Sequence, residues 1–485
     1  MLRYKKIQLI SPPSNRTIEG QQKWVKWSQP LGILSIATYL HSVLPEVEIE
    51  VLDYDCILDL DNEEHKAKIG NADLVGLSVT FAQVDRGFEI ARIAKERGCD
   101  VLIGGNIATS LNERILKYHS YVDYCCCYDG EHSWVELVKG TDLANVPNLV
   151  WRNEVGGGIA NKNVDVDLRT LPIINRDYIN FEEYISRAED PHYKPLENFK
   201  RPTNMYSLKG CSWRATEGGG CYFCSIHDRG LRTRDPKQVW EERRMLVDKY
   251  NVNYIWDPSD NFAADPKWFK EFHEVRPKDF IVPFANYIRI DFVNDEVAKM
   301  LKEMGTVQVF MGMESGSNAA LKALNKGIDR NMIENALIIL RKYEITAVLG
   351  IVIGAKGETQ ETVIETLNFM KHLLGKHPNL DRFEWGTLAP LPGSKAFNEI
   401  LKHPELKDKY KDFGKGNIMS SIEQMIEDWP EYMCDDGVDF DYFLQIQQLA
   451  QEHLPYEMTR YQKRAWCGTA HKAYIDGKLI SGERW

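Results

Sequence analysis

No stretch of the chain gathers the roughly 20 apolar residues that a membrane-spanning helix requires. Basic residues are in the minority, 60 Lys and Arg against 71 Asp and Glu, a formal net charge of −11. That balance argues against broad contact with nucleic-acid backbone or anionic lipid. The opening "MLRYKKIQLISPPSN" has only a short apolar stretch after its basic residues. It is too short for a signal-peptide core and reads as a first β-strand. No G-x-G-x-x-G dinucleotide fingerprint follows that strand, where the loop reads "SPPSN". Low-complexity tracts are absent, as is any repeat beyond a strand–helix unit. The expectation is a cytoplasmic protein, a monomer, with neither membrane nor nucleic-acid partners. Disulfides are rare in that compartment, so close-spaced cysteines point to metal or redox chemistry.

What the chain does have is length and order. Its 485 residues, 43% hydrophobic and 27% charged, suffice for two or three packed domains. Residues 1–140 alternate strand and helix patterns: "KIQLIS", "PLGILSIATYLHSVLP", "VEIEVLDY", "ADLVGLSVTF", "DRGFEIARIAKERG", "DVLIGGNIAT" and "VDYCCCYDGE". Strands apolar throughout and separated by helices predict a doubly wound parallel sheet in an α/β fold, with ligands at its carboxyl edge. Residues 141–200 read as a hairpin and linker. Residues 201–397 carry six further strand–helix repeats, from "MYSLKGC" to "RFEWGTLAP", which predict a partial (β/α)6 barrel with its site at the strands' C-terminal ends. Residues 398–485 read as a mostly helical region with acidic runs such as "EDWPEYMCDDGVDFDYF".

The chemistry concentrates in "GCSWRATEGGGCYFC", with Cys211, Cys221 and Cys224 and no fourth cysteine nearby. A structural zinc site wants four protein ligands, and His227 is the available fourth. An iron–sulfur cluster on three thiolates keeps one iron open for another ligand. Gly218, Gly219 and Gly220 let the loop wrap closely around a bulky group, and Trp213, Tyr222 and Phe223 are placed to shield it. The denser run Cys125, Cys126 and Cys127 reads as a buried strand. Alternating residues point to opposite faces, so core packing is the reading there.

At this loop the chain resembles the radical S-adenosylmethionine enzymes, which hold a 4Fe–4S cluster on three cysteines after the first strand of a partial barrel. Their common spacing is three then two intervening residues, whereas here it is nine then two. Further segments are similar in the same order: "RTRDPKQVWEE", "GMESGS", "GIVIGAKGET" and "APLPGS". The resemblance covers about 205–397 and implies S-adenosylmethionine contacts from Phe223, Glu314, Ser315, Gly354 and Leu388. The preceding sheet resembles the cobalamin-binding subclass. This implies a corrinoid cradled by Ser11, Pro12, Thr80, Phe81, Gln83, Gly104, Gly105, Asn106, Thr109, Gly130 and Glu131. The D-x-H-x-x-G motif that ligates cobalt is absent. The lower cobalt face is therefore open, or met by Phe81, Gln83 or Val84. A loop around Trp24 and Trp27 is placed to cover the corrin.

The resemblance implies C-methylation: a deoxyadenosyl radical takes hydrogen from an unactivated sp3 carbon, and methylcobalamin supplies the methyl group. It further implies an external electron donor, anaerobic operation and a peptide or protein substrate, with a glutamine of methyl-coenzyme M reductase the expected target. Tyr287 is the candidate catalytic relay, with structural burial as its plainer reading. Asp257, Asp260, Asn261, Asn286, Arg289, Trp385 and Thr387 are expected at the barrel mouth, with Arg289 and Asp291 a simple ion pair as the alternative. Competing functions are a cobalamin-dependent cyclase, a small-molecule methylase, or a zinc-binding nucleotide- or RNA-binding protein.

Overall fold

The computed structural model describes residues 2–14, 27–153, 157–188, 199–225, 228, 230–435 and 437–453. By density of internal contacts the chain divides into two compact units. One comprises Met1–Met205, Ile226–Trp256 and Asp412–Met419; the other Tyr206–Ser225, Asp257–Lys411 and Ser420–Trp485.

In the first unit, β1 (Lys6–Ser11), α1 (Leu31–Val43), β2 (Glu48–Asp53), β3 (Leu74–Ser78), α2 (Val84–Glu96), β4 (Asp100–Gly104), α3 (Gly105–Tyr118), β5 (Tyr124–Cys126) and α4 (Glu131–Lys139) alternate as predicted. The predicted hairpin is β6 (Leu149–Arg152) and β7 (Gly158–Ala160). The sheet order is β2-β1-β3-β4-β5-β6-β7, with β1 to β5 parallel and the last two antiparallel. Ile7, Leu9, Leu74, Val101 and Ile103 are buried because helices cover both faces. Strand order reverses between β1 and β3, which opens the carboxyl-edge crevice where such sheets take ligands.

The same unit holds β8 (Pro202–Asn204), α5 (Pro236–Tyr250) and most of β9 (Tyr254–Asp257), with β8 and β9 pairing in parallel. Strand β8 begins a few residues before the expected "MYSLKGC"; Pro202 has no N–H to donate, which suits a strand's first residue. Helix α5 starts sharply because Asp235 accepts from the amides of Lys237 and Gln238 and Pro236 occupies the first turn. It ends at Asn251, in the left-handed region with φ 53°.

The second unit contains α6 (Pro266–Glu274), β10 (Phe284–Tyr287), α7 (Asp295–Glu303), β11 (Thr306–Glu314), α8 (Arg330–Lys342), β12 (Thr346–Ile353), α9 (Gln360–Lys376), β13 (Leu380–Thr387) and α10 (Lys395–Lys402). Strands β10 to β13 are parallel neighbours in sequence order. Val309, Met311, Leu349, Ile351, Phe383 and Trp385 form the buried face, while Phe310, Gly312, Gly350, Val352, Glu384 and Gly386 on the alternate face stay partly exposed. Five of the six strands predicted between 201 and 397 are present as β9 to β13; the first, expected at 205–211, is displaced to β8 at Pro202–Asn204, and only Leu208–Lys209 within the expected segment is extended, in a separate two-stranded sheet. The helical C-terminal region contains α11 (Ile418–Met433) and α12 (Phe440–His453). No described helix is long and apolar enough to cross a membrane.

Candidate functional site

Cys211, Cys221 and Cys224 form no disulfide and are half-buried in the second unit. The chain reaches Cys211 under tight control. The Asp257 carboxylate accepts from Ser207 Oγ and Ser259 Oγ, each at 2.5 Å. Ser259 Oγ in turn accepts from the amides of Ser207 and Leu208 at 3.0 and 3.1 Å. Asp260 accepts from the Gly210 amide at 2.7 Å. The acidic loop expected to face substrate therefore positions the cysteine loop.

The nine residues between Cys211 and Cys221 form a tied turn. The Asn325 side-chain amide donates to Gly218 O and Gly220 O at 3.0 and 2.9 Å, and Lys395 Nζ to Gly219 O at 2.9 Å. A Cβ on Gly219 would lie 2.1 Å from Trp213 O. The turn itself calls for glycine at all three positions, since Gly218 and Gly220 sit at φ 71° and 83° and Gly219 has no room for a Cβ. Trp213 Nε1 donates to Asn325 O at 2.9 Å, and its ring lies under the Arg289 guanidinium at 5.3 Å. Phe223 is half-buried beside Cys224.

The charges around Cys221 are the distinctive feature. Arg289 Nη1 is 3.9 Å from Cys221 Sγ. Arg289 also pairs with Asp291 at 2.9 Å, as one reading anticipated, and donates to Lys326 O at 2.8 Å. Lys326 is buried and pairs with Glu314 at 2.7 Å. Burial pushes the Cys221 thiol up, while Lys326 and Arg289 pull it down. Burial disfavours the Lys326 charge, but Glu314 and then Cys221 raise its pKa above the ordinary value, so it stays an ammonium. Burial prevails at Cys221, with Glu314 also pushing it up, so its thiol stays above the ordinary value; the two cations offset part of the cost of the thiolate, the ligating form.

Backbone strain places Glu314. It sits at φ 65°, after a register shift between Gly312 and Glu314 on β11. Such a bulge re-aims a side chain, and here the carboxylate folds back over Gly312. A Cβ at Gly312 would lie 2.0 Å from Glu314 Oε1 and 2.6 Å from Lys326 Nζ. The other residues proposed for S-adenosylmethionine are engaged within the chain. Ser315 Oγ shares a hydrogen bond of 2.8 Å with Thr366 Oγ1. Gly354, at φ 97°, donates its amide to Glu358 and accepts from Trp429 Nε1 of α11 at 2.7 Å. Leu388 and Phe443 would each lie 3.3 Å from a Cβ at Gly354. Burial pushes the Glu358 carboxyl up to about 7.

Among the described residues no group of three His, Cys, Asp or Glu side chains could hold one metal ion. His227 lies outside the described residues. A single ion needs donors that converge on one point; a cluster of several irons takes each thiolate on a different metal, and the cations at Cys221 suit its negative charge. The three cysteines fit a cluster on these grounds. Cys125, Cys126 and Cys127 are buried and alternate as expected: Cys127 Sγ accepts from Asn112 Nδ2 at 3.3 Å, while Cys126 faces Asp129 and Ser133.

The carboxyl edge of the first unit's sheet gathers the residues proposed for the corrinoid. Ser11 and Pro12 end β1, and Thr80, Phe81 and Gln83 follow β3. Gln83 is closed into the fold: its Oε1 accepts from the Thr80 amide and hydroxyl at 3.1 and 2.8 Å, and its Nε2 donates to Pro12 O at 2.7 Å. Phe81 and Val84 are buried and carry no donor atoms. Gly105, at φ 84°, packs its Cα against the Val79 backbone, where a Cβ would lie 2.6 Å from the carbonyl. At Gly104 a Cβ would sit in ordinary contact, 3.7 Å from Leu77 O. Helix α3 begins there without a side-chain cap, next to exposed Asn106. The Ile107 amide in its first turn donates to Val79 O at 3.3 Å; a helix start suits the phosphate of a cofactor tail. Thr109 Oγ1 accepts from the Tyr128 amide at 2.9 Å, and Glu131 from Ser35 Oγ at 2.7 Å, so both support the Gly130 turn from within. Trp27 is buried against Trp256 at 5.9 Å, and Trp24 lies outside the described residues.

Tyr287 stacks on Phe310 at 4.9 Å on the partly exposed face of the second unit's strands. Trp385 points to the buried face instead, and Asn286 and Asn261 are fully buried. Sequence reasoning missed Lys326, which follows Glu314 by 12 residues with no periodic signal linking them.

Residues 205–370 match the family model described as the Radical SAM superfamily. An uncharacterized methyltransferase of Pyrococcus horikoshii is 24% identical over 417 residues, 82% of this chain and 84% of that one. An anaerobic magnesium-protoporphyrin IX monomethyl ester cyclase of Rubrivivax gelatinosus is 25% identical over 381 residues, 75% of this chain but only 64% of the cyclase. Among solved structures, the radical S-adenosylmethionine methyltransferase TsrM of Kitasatospora setae, with cobalamin and a 4Fe–4S cluster bound, superposes with a TM-score of 0.65 at 17% identity, covering 82% of this chain and 75% of that one. The structural likeness shows the fold, and the matches together identify an enzyme with a radical SAM domain at 205–370.

Proposed function

We propose that the chain is a cobalamin-dependent radical S-adenosylmethionine C-methyltransferase. The observation that carries this reading is the cysteine loop with Arg289 and Lys326 at Cys221, inside the segment that matches the Radical SAM family model. Cys211, Cys221 and Cys224 would hold the cluster, and the carboxyl edge around Gly104 and Asn106 would hold the corrinoid. When bound, these cofactors supply a hydrogen-abstracting radical and a transferable methyl group. The chain's own part is to order and orient. Asp257 and Ser259 position the entry to Cys211. Lys326 and Arg289 stabilise thiolate at Cys221. Glu314, held by Lys326 over Gly312, presents a carboxylate beside the cysteines for the amino group of S-adenosylmethionine.

The finer reading is a peptide substrate, with a glutamine of methyl-coenzyme M reductase as the target and an external electron donor. The peptide substrate rests on chain length and on the nine-then-two cysteine spacing, and the glutamine target on overall resemblance. Similarity to an anaerobic cyclase supports a second reading, in which the same cofactors act without methyl transfer. Anaerobic purification followed by iron, sulfide and cobalt analysis tests the class. Product mass spectrometry with glutamine-containing peptides then separates the readings: deoxyadenosine with a methyl gain supports the methylase, and deoxyadenosine without one supports the cyclase. Protein lacking iron and cobalt after anaerobic reconstitution would sink both.

A further inference from the structure

Nine residues separate Cys211 from Cys221, and this long spacer is built into the surroundings of the other two cysteines. Arg214 Nη1 donates to Cys224 O at 3.0 Å. Trp213 Nε1 donates to Asn325 O, and the Asn325 side chain donates back to Gly218 O and Gly220 O, which closes the spacer against one residue. Gly327 makes room for the indole: a Cβ there would lie 3.1 Å from the Trp213 ring. The ring is thus fixed where the Arg289 guanidinium lies over it, at 5.3 Å.

Arg289 is held on its other sides as well and is only 6% exposed. Its Nε lies 2.9 Å from Asp291 Oδ1, and its Nη2 donates to Asp291 Oδ2 at 3.1 Å. Nη2 also donates to Lys326 O at 2.8 Å, and the Arg289 amide donates to Asn261 Oδ1 at 3.2 Å. These contacts take up one edge of the guanidinium and one face. The remaining corner, Nη1, is directed at Cys221 Sγ, 3.9 Å away. A planar fork held in this way loses little further freedom when it bonds to the sulfur.

Hydrogen bonds to sulfur and local charge set the reduction potential of an iron–sulfur cluster. Reduction adds one electron, and so one negative charge, with no bond made or broken in the protein. A charged N–H donor at a ligating sulfur favours the more negative, reduced form and raises the potential. Asp291 binds the guanidinium edge away from the sulfur, so it weakens this effect without cancelling it.

We propose that Arg289 sets the reduction potential of the cluster held by Cys211, Cys221 and Cys224, and that the long spacer is the platform that aims it. Arg289 acts through Cys221 Sγ and is therefore a positioning residue. The proposal rests on the cluster reading above and adds to it what governs uptake of one electron from an external one-electron donor.

The test is an anaerobic redox titration of the reconstituted full-length protein, without S-adenosylmethionine. Titanium(III) citrate supplies the electrons, and electron paramagnetic resonance reports the reduced cluster. Iron and sulfide per chain are measured on every sample. At the potential where the wild-type cluster is half reduced, Arg289→Met lowers the ratio of reduced to oxidised cluster about ten-fold, a shift of about 59 mV to lower potential for one electron. Arg289→Lys keeps the charge but not the fork, and lowers the ratio about three-fold. Trp213→Leu removes the platform and lowers it by a similar factor, about three-fold. Glu217→Gln, on the exposed part of the spacer, keeps the ratio within about two-fold of the wild type. An unchanged ratio in Arg289→Met at full iron content overturns the proposal and leaves the cluster reading standing. A Glu217→Gln shift as large as that of Arg289→Met overturns it too, by assigning the effect to general disturbance of the loop. If Arg289→Met holds no cluster, Arg289→Lys decides, and an unchanged ratio there overturns the proposal. An unchanged ratio in Trp213→Leu overturns the platform. Wild-type protein without iron after reconstitution sinks the cluster reading itself.

Discussion

At the scale of single residues, the least conspicuous side chains define the site. Lys326 is buried only because Glu314 compensates it. Lys326→Met leaves a carboxylate buried and unpaired, at a cost of about 3 kcal/mol, and removes one cation from Cys221. Lower urea stability together with reduced iron per chain is the expected outcome; iron retention at the wild-type level would show that the cation does not serve the thiolate. Glu358 carries a different signature. Its carboxyl is raised from 4.5 to about 7 by burial, against two amide hydrogen bonds that favour the anion. The folded state thus binds a proton that the unfolded state releases between these values. Stability from this group is fully present below about pH 4.5 and is lost as pH rises to about 7, on the order of 3 kcal/mol in all. Glu358→Gln flattens the slope of stability between pH 5 and 7, measured by denaturant titration; an unchanged slope would assign it to other groups, Asp53 first, whose carboxyl burial raises to about 6.

At the scale of elements, helix and strand order was readable because periodicity reports burial: β3 and β4 are mostly apolar, and β1 buries even its Gln8, since helices cover both faces. The strands are shorter than their apolar runs suggest. "VDYCCCYDGE" yields only Tyr124–Cys126, because Tyr128 turns into the left-handed region at φ 59°. The bulge that swings Glu314 onto Gly312 left no mark in "GMESGS", since a one-residue register shift changes pairing without changing composition. Gly105 shows what such a position demands. Gly105→Ala meets both a positive φ and a carbonyl 2.6 Å away, so it destabilises by about 2 kcal/mol or more. It also displaces the start of α3, and reduced cobalt per chain with iron unchanged is the expected pattern. Equal loss of both metals would mean general unfolding.

At the scale of the whole molecule, the ten cysteines fall into functional classes that metal analysis can separate. Alanine at Cys211, Cys221 or Cys224 removes most of the bound iron. Cys126→Ala leaves iron unchanged and costs about 1 kcal/mol of stability, as a small packing residue should. Burial pushes the Cys126 thiol up to about 12, so it stays protonated and unreactive. Iron loss from the Cys126 variant would reverse this division.

The sequence alone determined the two α/β runs, the cysteine loop and its likeness to a cofactor-binding family, because periodicity and motif spacing are local properties of the chain. Tertiary structure alone decided which polar residues are available to ligands and which hold the fold. Gln83, Asp257 and Ser315, plausible ligand contacts by position, proved to be bonded inward. Lys326, unremarked in the string, proved to pair with Glu314 beside Cys221. The reason is physical. A side chain's partners are set by strand register and by bulges that bring distant residues within 3 Å, and neither leaves a periodic trace in one dimension.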